Sequence, residues 1–489
     1  MQNPLNNPSH SQSNQSQDSN TNPQIPSSPK SQFRPMEAIQ NTTEMERYPA
    51  YKASGVEWLG EVPEHWELTR LGTRFEERRT KVSDKDFPPL SVTKNGIVPQ
   101  LDNAAKTNDG DNRKLVKEGD FVINSRSDRK GSSGIAFEDG SVSLINIVME
   151  PKNIHPIYCN YLLKSYAFIE EFYRMGHGIV ADLWTTRYDE MKAITIGIPP
   201  LPEQTAIANF LDRKTAQVDT AIRIKERQIE LLKERRQILI HKAVTRGLHW
   251  DSSDERMTGL DNPKIQSSQK SQFRHSGVDW IGEIPAHWEV KRLRFCGTFQ
   301  NGVSKGSEYF GSGYPFVSYG NVYKQIALPE KIEGLAESSV HDRLLYSVIE
   351  GDVFFTRTSE TTEEIGFSST CLKTIENATF SGFLIRFRPL SNILHKEFSK
   401  YFFSNKKQQS FFVGEMNLVI RASLSQELLK RLPVLLPSIN EQAIISGYLD
   451  KKTTEIDTAI SLKQKEIAKL KEYKATLINS AVTGKIKVS

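Results

Sequence analysis

The clearest pattern along the chain is an alternation of four- and three-residue steps between apolar positions, and it occurs twice. Val218, Ile222, Ile229, Leu232 and Leu239 follow it, with Lys225 and Arg236 in the remaining slots. Ile456, Ile460, Ile467, Leu470 and Leu477 repeat it, with Lys463 in the slot of Lys225. An apolar repeat averaging about 3.5 residues, sustained over three to four heptads with charges elsewhere, predicts two long helices pairing as a coiled coil. A lysine in the seam weakens such a coil but holds its register. Pro202 and Pro437 stand just upstream, where a helix is expected to begin. Each helix should span about 30 residues, or ~45 Å. If the two pair antiparallel, the segments preceding them sit at opposite ends of a rod.

Those segments, about 68–200 and 290–436, read as mixed α/β. Phe121-Val-Ile-Asn and Val353-Phe-Phe-Thr are short strand-like runs, each after a Gly-Asp turn. Residues 145–149 and 383–387 read as further strands, and 158–175 and 396–412 carry aromatics at helical spacing.

The chain is written twice. Gly55-Val-Glu-Trp-Leu-Gly-Glu-Val-Pro-Glu-His-Trp-Glu67 returns as Gly277-Val-Asp-Trp-Ile-Gly-Glu-Ile-Pro-Ala-His-Trp-Glu289. Residues 203–247 return as 441–485, with 21 of 45 positions identical. Between these edges the halves diverge, apart from Glu118-Gly119-Asp120 and Glu350-Gly351-Asp352. A period near 230 residues is too long for a solenoid; it indicates a duplicated unit with shared edges, two different middles and approximate twofold symmetry. Residues 1–46 are polar and rich in Asn, Ser, Gln and Pro, which predicts a disordered tail. Similar composition over 250–276 predicts a linker. The expected organisation is then 47–200 and 277–436 as α/β domains, with 201–249 and 437–489 as the helices.

Composition narrows the function. With 64 Lys and Arg against 59 Asp and Glu, the formal charge is only +5, unlike a heavily basic polymer binder. The sum hides a contrast: residues 1–67 carry −4, while the two middles and two helix blocks together carry +11. No apolar run approaches the length of a membrane span, and the N-terminus has no apolar signal segment. Three cysteines without metal-ligand spacing predict reduced thiols in the cytoplasm. There is no P-loop, no Asn-Pro-Pro-[Tyr/Phe] methyltransferase motif and no Pro-Asp…[Asp/Glu]-x-Lys nuclease core. His65 and His287 recur beside Pro and Trp in the shared edges, which predicts packing or capping roles. A ~45 Å spacer with a reading domain at each end matches half-sites about one DNA turn, ~34 Å, apart. Different middles then predict different half-sites. The competing reading is a coiled-coil protein scaffold without DNA specificity, which explains the helices but not two dissimilar polar-looped domains.

At this point the residues resemble the specificity subunits of type I restriction-modification enzymes, over nearly everything from Arg47 onward. The matching features are Tyr48-Pro-Ala-Tyr-Lys, the two Gly-Val-[Glu/Asp]-Trp openings, Pro199-Pro-Leu-Pro-Glu-Gln204 and Leu436-Pro-Ser-Ile-Asn-Glu-Gln442. Each of the last two leads into Leu-Asp-[Arg/Lys]-Lys-Thr and closes at Ala243-Val-Thr or Ala481-Val-Thr. The resemblance implies two target recognition domains reading a bipartite double-stranded DNA site, and conserved helices forming an antiparallel coiled coil. It implies no catalysis and no cofactor in this chain. Two modification (methyltransferase) subunits would bring S-adenosylmethionine for adenine methylation. Restriction subunits would bring ATP and Mg for translocation and cleavage.

Base contacts belong in the divergent middles, because shared edges cannot encode two half-sites. Polar and charged side chains on loops and helix ends are the readers. In the first middle these are Thr93, Lys94, Asn95, Ser125, Arg126, Arg129, Lys130 and Arg187. In the second they are Tyr319, Asn321, Arg357, Ser359, Glu360, Thr361 and Arg421. Arg126 and Arg357 stand out, since both follow the Gly-Asp strand.

Overall fold

The computed structural model describes residues 46–101, 110–178, 184–248, 272–359, 366–408, 411–412 and 422–488. They form two compact units. One holds the chain up to Asp212 together with the segment from Glu472 onward; the other holds Arg213–Lys471.

In the first unit the strand Glu67–Arg70 pairs antiparallel with Thr195–Ile198, joining the two ends of the domain. Between them lies a four-stranded antiparallel sheet in the order Ser133–Ile135, Phe121–Asn124, Asn146–Pro151, Phe75–Glu77. Phe121 and Ile123 face a large core with Phe75, Met149, Tyr158, Phe168 and Phe172. Val122 and Val148 face a smaller one with Leu90, Val116 and Val142. A strand buried on both faces reads as a continuous apolar run, which is why Phe121-Val-Ile is legible as a strand. The helical stretch expected over 158–175 is two helices, Pro156–Lys164 and Tyr166–Arg174. Ser165 breaks it: its backbone is extended and its side chain accepts from the Phe168 N–H, capping the second helix.

The second unit repeats this plan. Its sheet runs Gly297–Asn301, Leu384–Pro389, Val353–Thr356, Ser368–Thr370. Val353 and Phe355 face one core and Phe354 the other. The helix Lys396–Phe403 covers the larger core. Its insertions differ, with an eight-residue strand, Phe310–Val317, that pairs parallel with Thr379–Phe380.

The two long helices are Leu201–Arg246, 46 residues, and Ile439–Val482, 44 residues. Both exceed the length expected from the heptads, because only their middles are seam. Ile222, Ile229, Leu232 and Leu239 pack with Ile456, Ile460 and Ile467. The direction is antiparallel: Lys225 Nζ meets Glu466 at 2.6 Å and Arg236 meets Asp457 at 2.7 Å. The seam lysine and arginine thus each find a carboxylate on the facing helix. Val218 is buried and Leu470 half-buried. Leu477 departs from the seam and lies in the core of the first unit, with Ala481 and Val482. That core also takes Ile207 and Leu211 from the start of the other long helix. The second unit mirrors this, combining Ile240, Ala243 and Val244 with Ile445 and Leu449. Each core is therefore completed by the beginning of one long helix and the end of the other.

Among the described residues no helix is long and apolar enough to cross a membrane, and no cluster of metal-ligating side chains occurs.

Candidate nucleic-acid interface

The shared sequence edges form one latch, built twice. Trp66 is fully buried and its indole Nε1–H donates to Glu203 Oε1 at 3.0 Å, while His65 Nε2 lies 2.8 Å from Glu203 Oε2. Trp288 and His287 hold Glu441 in the same way, both at 3.0 Å. The neighbouring glutamines bridge backbone. Gln204 Oε1 accepts from His155 N–H and its amide donates to Pro199 O; Gln442 does the same with His395 N–H and Pro437 O. The Glu-Gln pair thus ties the start of each long helix to the domain before it. The next acidic residue of the repeat adds a second tie. Asp212 accepts from the Tyr161 hydroxyl at 2.7 Å and Asp450 from Tyr401 at 2.6 Å.

Within each domain the Gly-Asp turn starts the strand that carries the candidate readers. Its aspartate is buried, with Asp120 2% and Asp352 0% exposed. A buried carboxylate needs partners, and each receives a bidentate arginine and a backbone N–H. Arg78 and the Lys117 N–H serve Asp120; Arg388 and the Ile349 N–H serve Asp352.

Beyond this strand the chain makes the same backbone contacts in both domains. The Ser125 N–H donates to Ile145 O at 3.3 Å, and Ser125 O accepts from the Thr186 N–H at 3.0 Å. The Arg357 N–H donates to Phe383 O at 3.0 Å, and Arg357 O accepts from the Leu424 N–H at 2.7 Å. Arg126 bridges Thr185, and Thr358 pairs with Ser423. Register therefore sets Arg357 against Ser125, not against Arg126. Spacing agrees with register, since Ser125 and Arg357 each stand five residues after the turn aspartate; Arg126 stands one residue further on, and in a strand one residue reverses the face. Thr358 occupies the place of Arg126, and Ser425 that of Arg187, each of the latter pair preceding a short helix.

In the first domain this strand edge borders an open groove of about 410 Å³. Ser125, Arg126, Thr185, Thr186 and Arg187 line one side of it, with Arg79, Lys114, Glu77, Leu144, Ile145, Tyr188 and Asp189 around the rest. Glu77 pairs with Lys114 and Arg79. Arg126 is exposed and has no ion-pair partner among the described residues. Ser125 is buried, so its contribution is to the backbone of the edge.

The other sequence-predicted residues lie elsewhere. Thr93 closes the hairpin of Leu90–Thr93 and Gly96–Pro99: its hydroxyl donates to Gly96 O and accepts from the Asn95 N–H, leaving Lys94 and Asn95 exposed at the tip. This hairpin does not line the groove. Arg129 is exposed 3.6 Å from Asp128. Lys130 pairs with Glu170 at 2.7 Å and sits over the Tyr173 ring. In the second domain Tyr319 stacks on Tyr323, and Asn321 Oδ1 accepts from the Ser318 N–H at 2.8 Å. Arg357 is half-buried, and the backbone of Ser359 pairs with Ala422. Glu360, Thr361 and Arg421 lie outside the described residues. Sequence reasoning missed Arg79 and Lys114, which reach the groove from two separate segments, while Tyr188 closes the polar run Thr185-Thr-Arg-Tyr that the sequence does offer. Only the basic pair Arg78-Arg79 was a signal, and half of it serves Asp120.

Two α/β domains with the same latch, the same buried Asp–Arg anchor and the same strand edge bearing different side chains define a duplicated recognition protein. The family model for the type I restriction modification DNA specificity domain matches residues 63–234 and again 285–472. The chain belongs to this family, the non-catalytic DNA-specificity subunits of type I restriction-modification systems. It is 25% identical over 460 residues to the type I restriction enzyme MjaVIII specificity subunit of Methanocaldococcus jannaschii, covering 87% of this chain and 94% of that one. It is 25% identical over 395 residues to the EcoKI specificity subunit of Escherichia coli strain K12, covering 76% and 77%. A solved chain concerned with complex assembly and conformational transition of the type I R-M system shares the fold. Its TM-score is 0.61 at 14% identity, over 86% of this chain and 98% of that one.

Proposed function

We propose that this chain reads a bipartite, asymmetric double-stranded DNA site. Residues 47–200 read one part and 277–436 the other, and 201–249 and 437–489 set the unspecified spacer between them. Two modification subunits, carrying S-adenosylmethionine, methylate adenines in the site; restriction subunits, carrying ATP and Mg, cleave DNA. The assembly works in the cytoplasm. One observation carries the reading. The strand edge after the Gly-Asp turn keeps its backbone hydrogen bonds in both domains, while its side chains change from Arg126 and Arg187 to Thr358 and Ser425. A constant scaffold with variable polar side chains is what two different half-sites require, since base edges are told apart by donor and acceptor pattern. The modest positive charge supports weak binding by the chain alone and tighter binding in the complex.

Exchanging residues 68–200 for the corresponding segment of another family member tests it. Methylation mapping of the cell's DNA should show one half of the methylated site changed and the other retained. Alteration of both halves would reject the modular reading.

A further inference from the structure

Next to each recognition strand lies a tight turn that exposes an apolar side chain. In the first domain it is Ser143-Leu144-Ile145-Asn146, closed by the Asn146 N–H on Ser143 O at 3.0 Å. In the second it is Ser381-Gly382-Phe383-Leu384, closed by the Leu384 N–H on Ser381 O at 2.9 Å. The third residue of each turn, Ile145 or Phe383, gives its carbonyl to the recognition strand, accepting from the Ser125 or Arg357 N–H. Third positions of turns favour Gly, Asn and Asp. Here both copies carry large apolar groups facing solvent, with Ile145 40% and Phe383 63% exposed. A single exposed apolar residue is ordinary; the same one at the same turn of two otherwise diverged domains is a shared design.

The second turn is closely packed. The Phe383 N–H also donates to Ser381 Oγ, and a side chain at Gly382 would place its Cβ 2.2 Å from Ser304 Oγ. In the first domain Leu144 and Ile145 share the groove with Arg126 and Arg187. An apolar surface set among cations fits a ligand that is anionic at its rim and apolar at isolated points. The major groove of DNA is such a surface, with phosphates along the edges and the 5-methyl group of thymine inside.

We propose that Ile145 and Phe383 are specificity-determining contacts, each packing on a thymine methyl group in the major groove of its own half-site. This rests on the DNA-reading function above and names a base feature within it. Position on a turn carbonyl-bonded to the recognition strand sets the apolar group beside the polar readers, so both act on adjacent bases.

The test uses the complex of this chain with its modification subunits and duplexes bearing the mapped site, with deoxyuridine replacing thymine one position at a time. Uracil keeps every hydrogen-bonding group and lacks only the methyl. In the wild type, one position in each half should bind about fourfold more weakly with uracil, the factor expected for one methyl-sized group. Phe383→Ser should bind thymine and uracil equally in the second half and leave the first unchanged; Ile145→Ser should do the reverse. Phe383→Leu should keep the preference for thymine. Undiminished preference in the serine variants, or no uracil-sensitive position in the wild type, overturns the proposal. A complex with no preference for the mapped site at all would instead overturn the DNA-reading function.

Discussion

At the edge after the Gly-Asp strand the first domain presents Arg126 and Arg187, and the second presents Thr358 and Ser425. The backbone hydrogen bonds around them are the same. Beneath the edge the same need is met by different means. Asp120 takes its arginine from the end of the strand Phe75–Glu77, as Arg78, while Asp352 takes Arg388 from the central strand Leu384–Pro389. The buried carboxylate and the strand register are kept because burial penalises their loss, whereas the source of the counter-charge and the exposed side chains are free to vary.

The largest effects should come from the buried anchors. Removing one partner of a buried pair costs about 3–5 kcal/mol, and each substitution also leaves a backbone N–H, of Lys117 or Ile349, without its acceptor. Asp352→Ala should lower stability by about 3 kcal/mol in chemical denaturation. Asp120→Ala should cost less, about 2 kcal/mol, because Arg78 keeps Glu150 at 3.1 Å. Equal losses would show that this second carboxylate contributes nothing.

The helix ends come next. Gly247 and Gly484 follow the two long helices with φ of +71° and +73°, the left-handed conformation that favours glycine. At Gly484 a Cβ would lie 2.3 Å from Pro63 Cδ; at Gly247 its nearest neighbour is Trp288 at 3.3 Å. Gly484→Ala should therefore lower stability by about 2 kcal/mol and Gly247→Ala by about 1 kcal/mol. Thermal melting of the two variants checks the order.

At the edges, Arg126→Ala should relax discrimination in the first half-site by roughly tenfold, one lost base contact. Arg357→Ala should weaken specific binding through the second half and leave assembly intact. Binding competition with half-site mismatches separates them, and an Arg357→Ala complex with wild-type affinity and methylated site would remove Arg357 from the interface.

The smallest effect concerns acid. In the second unit His241 is held near Asn405 at 3.0 Å, and burial, with Lys407 and Arg246 nearby, pushes its pKa down to about 4. Its counterpart in the first unit is Asn479, which does not titrate. A histidine whose folded value lies below its ordinary 6.5 takes up its proton more readily when unfolded. Its contribution is full above pH ~6.5 and is lost as pH falls toward about 4. The melting temperature should fall on the order of a few degrees over that window, and His241→Asn should flatten the fall.

The heptads were legible because side chains three and four apart lie on one helix face whatever surrounds them. The strands Phe121–Asn124 and Val353–Thr356 were legible because burial on both faces leaves an unbroken apolar run. The break at Ser165 was hidden, since a serine interrupts a helix only when its side chain caps the next one. Among the candidate readers, Ser125, Arg126 and Arg187 share one groove, while Thr93 to Asn95 sit on a separate hairpin and Lys130 is engaged by Glu170. Charge alone does not distinguish a solvated loop from a groove wall.

Local spacing and repetition alone established the duplication, the seam and the shared edges, while the antiparallel direction of the seam shows in the pairing of Lys225 with Glu466 and Arg236 with Asp457. Why the edges recur was decided by tertiary structure: Glu203 and Glu441 lie far along the chain from the Trp–His pairs they bind. The ends of the seam were decided there too, where Leu477 leaves its heptad for a domain core. The alignment of the two strand edges was already in the spacing, since Ser125 and Arg357 both stand five residues after the turn aspartate. What the spacing does not contain is which backbone groups those residues meet across the sheet, Ile145 and Thr186 in one domain and Phe383 and Leu424 in the other.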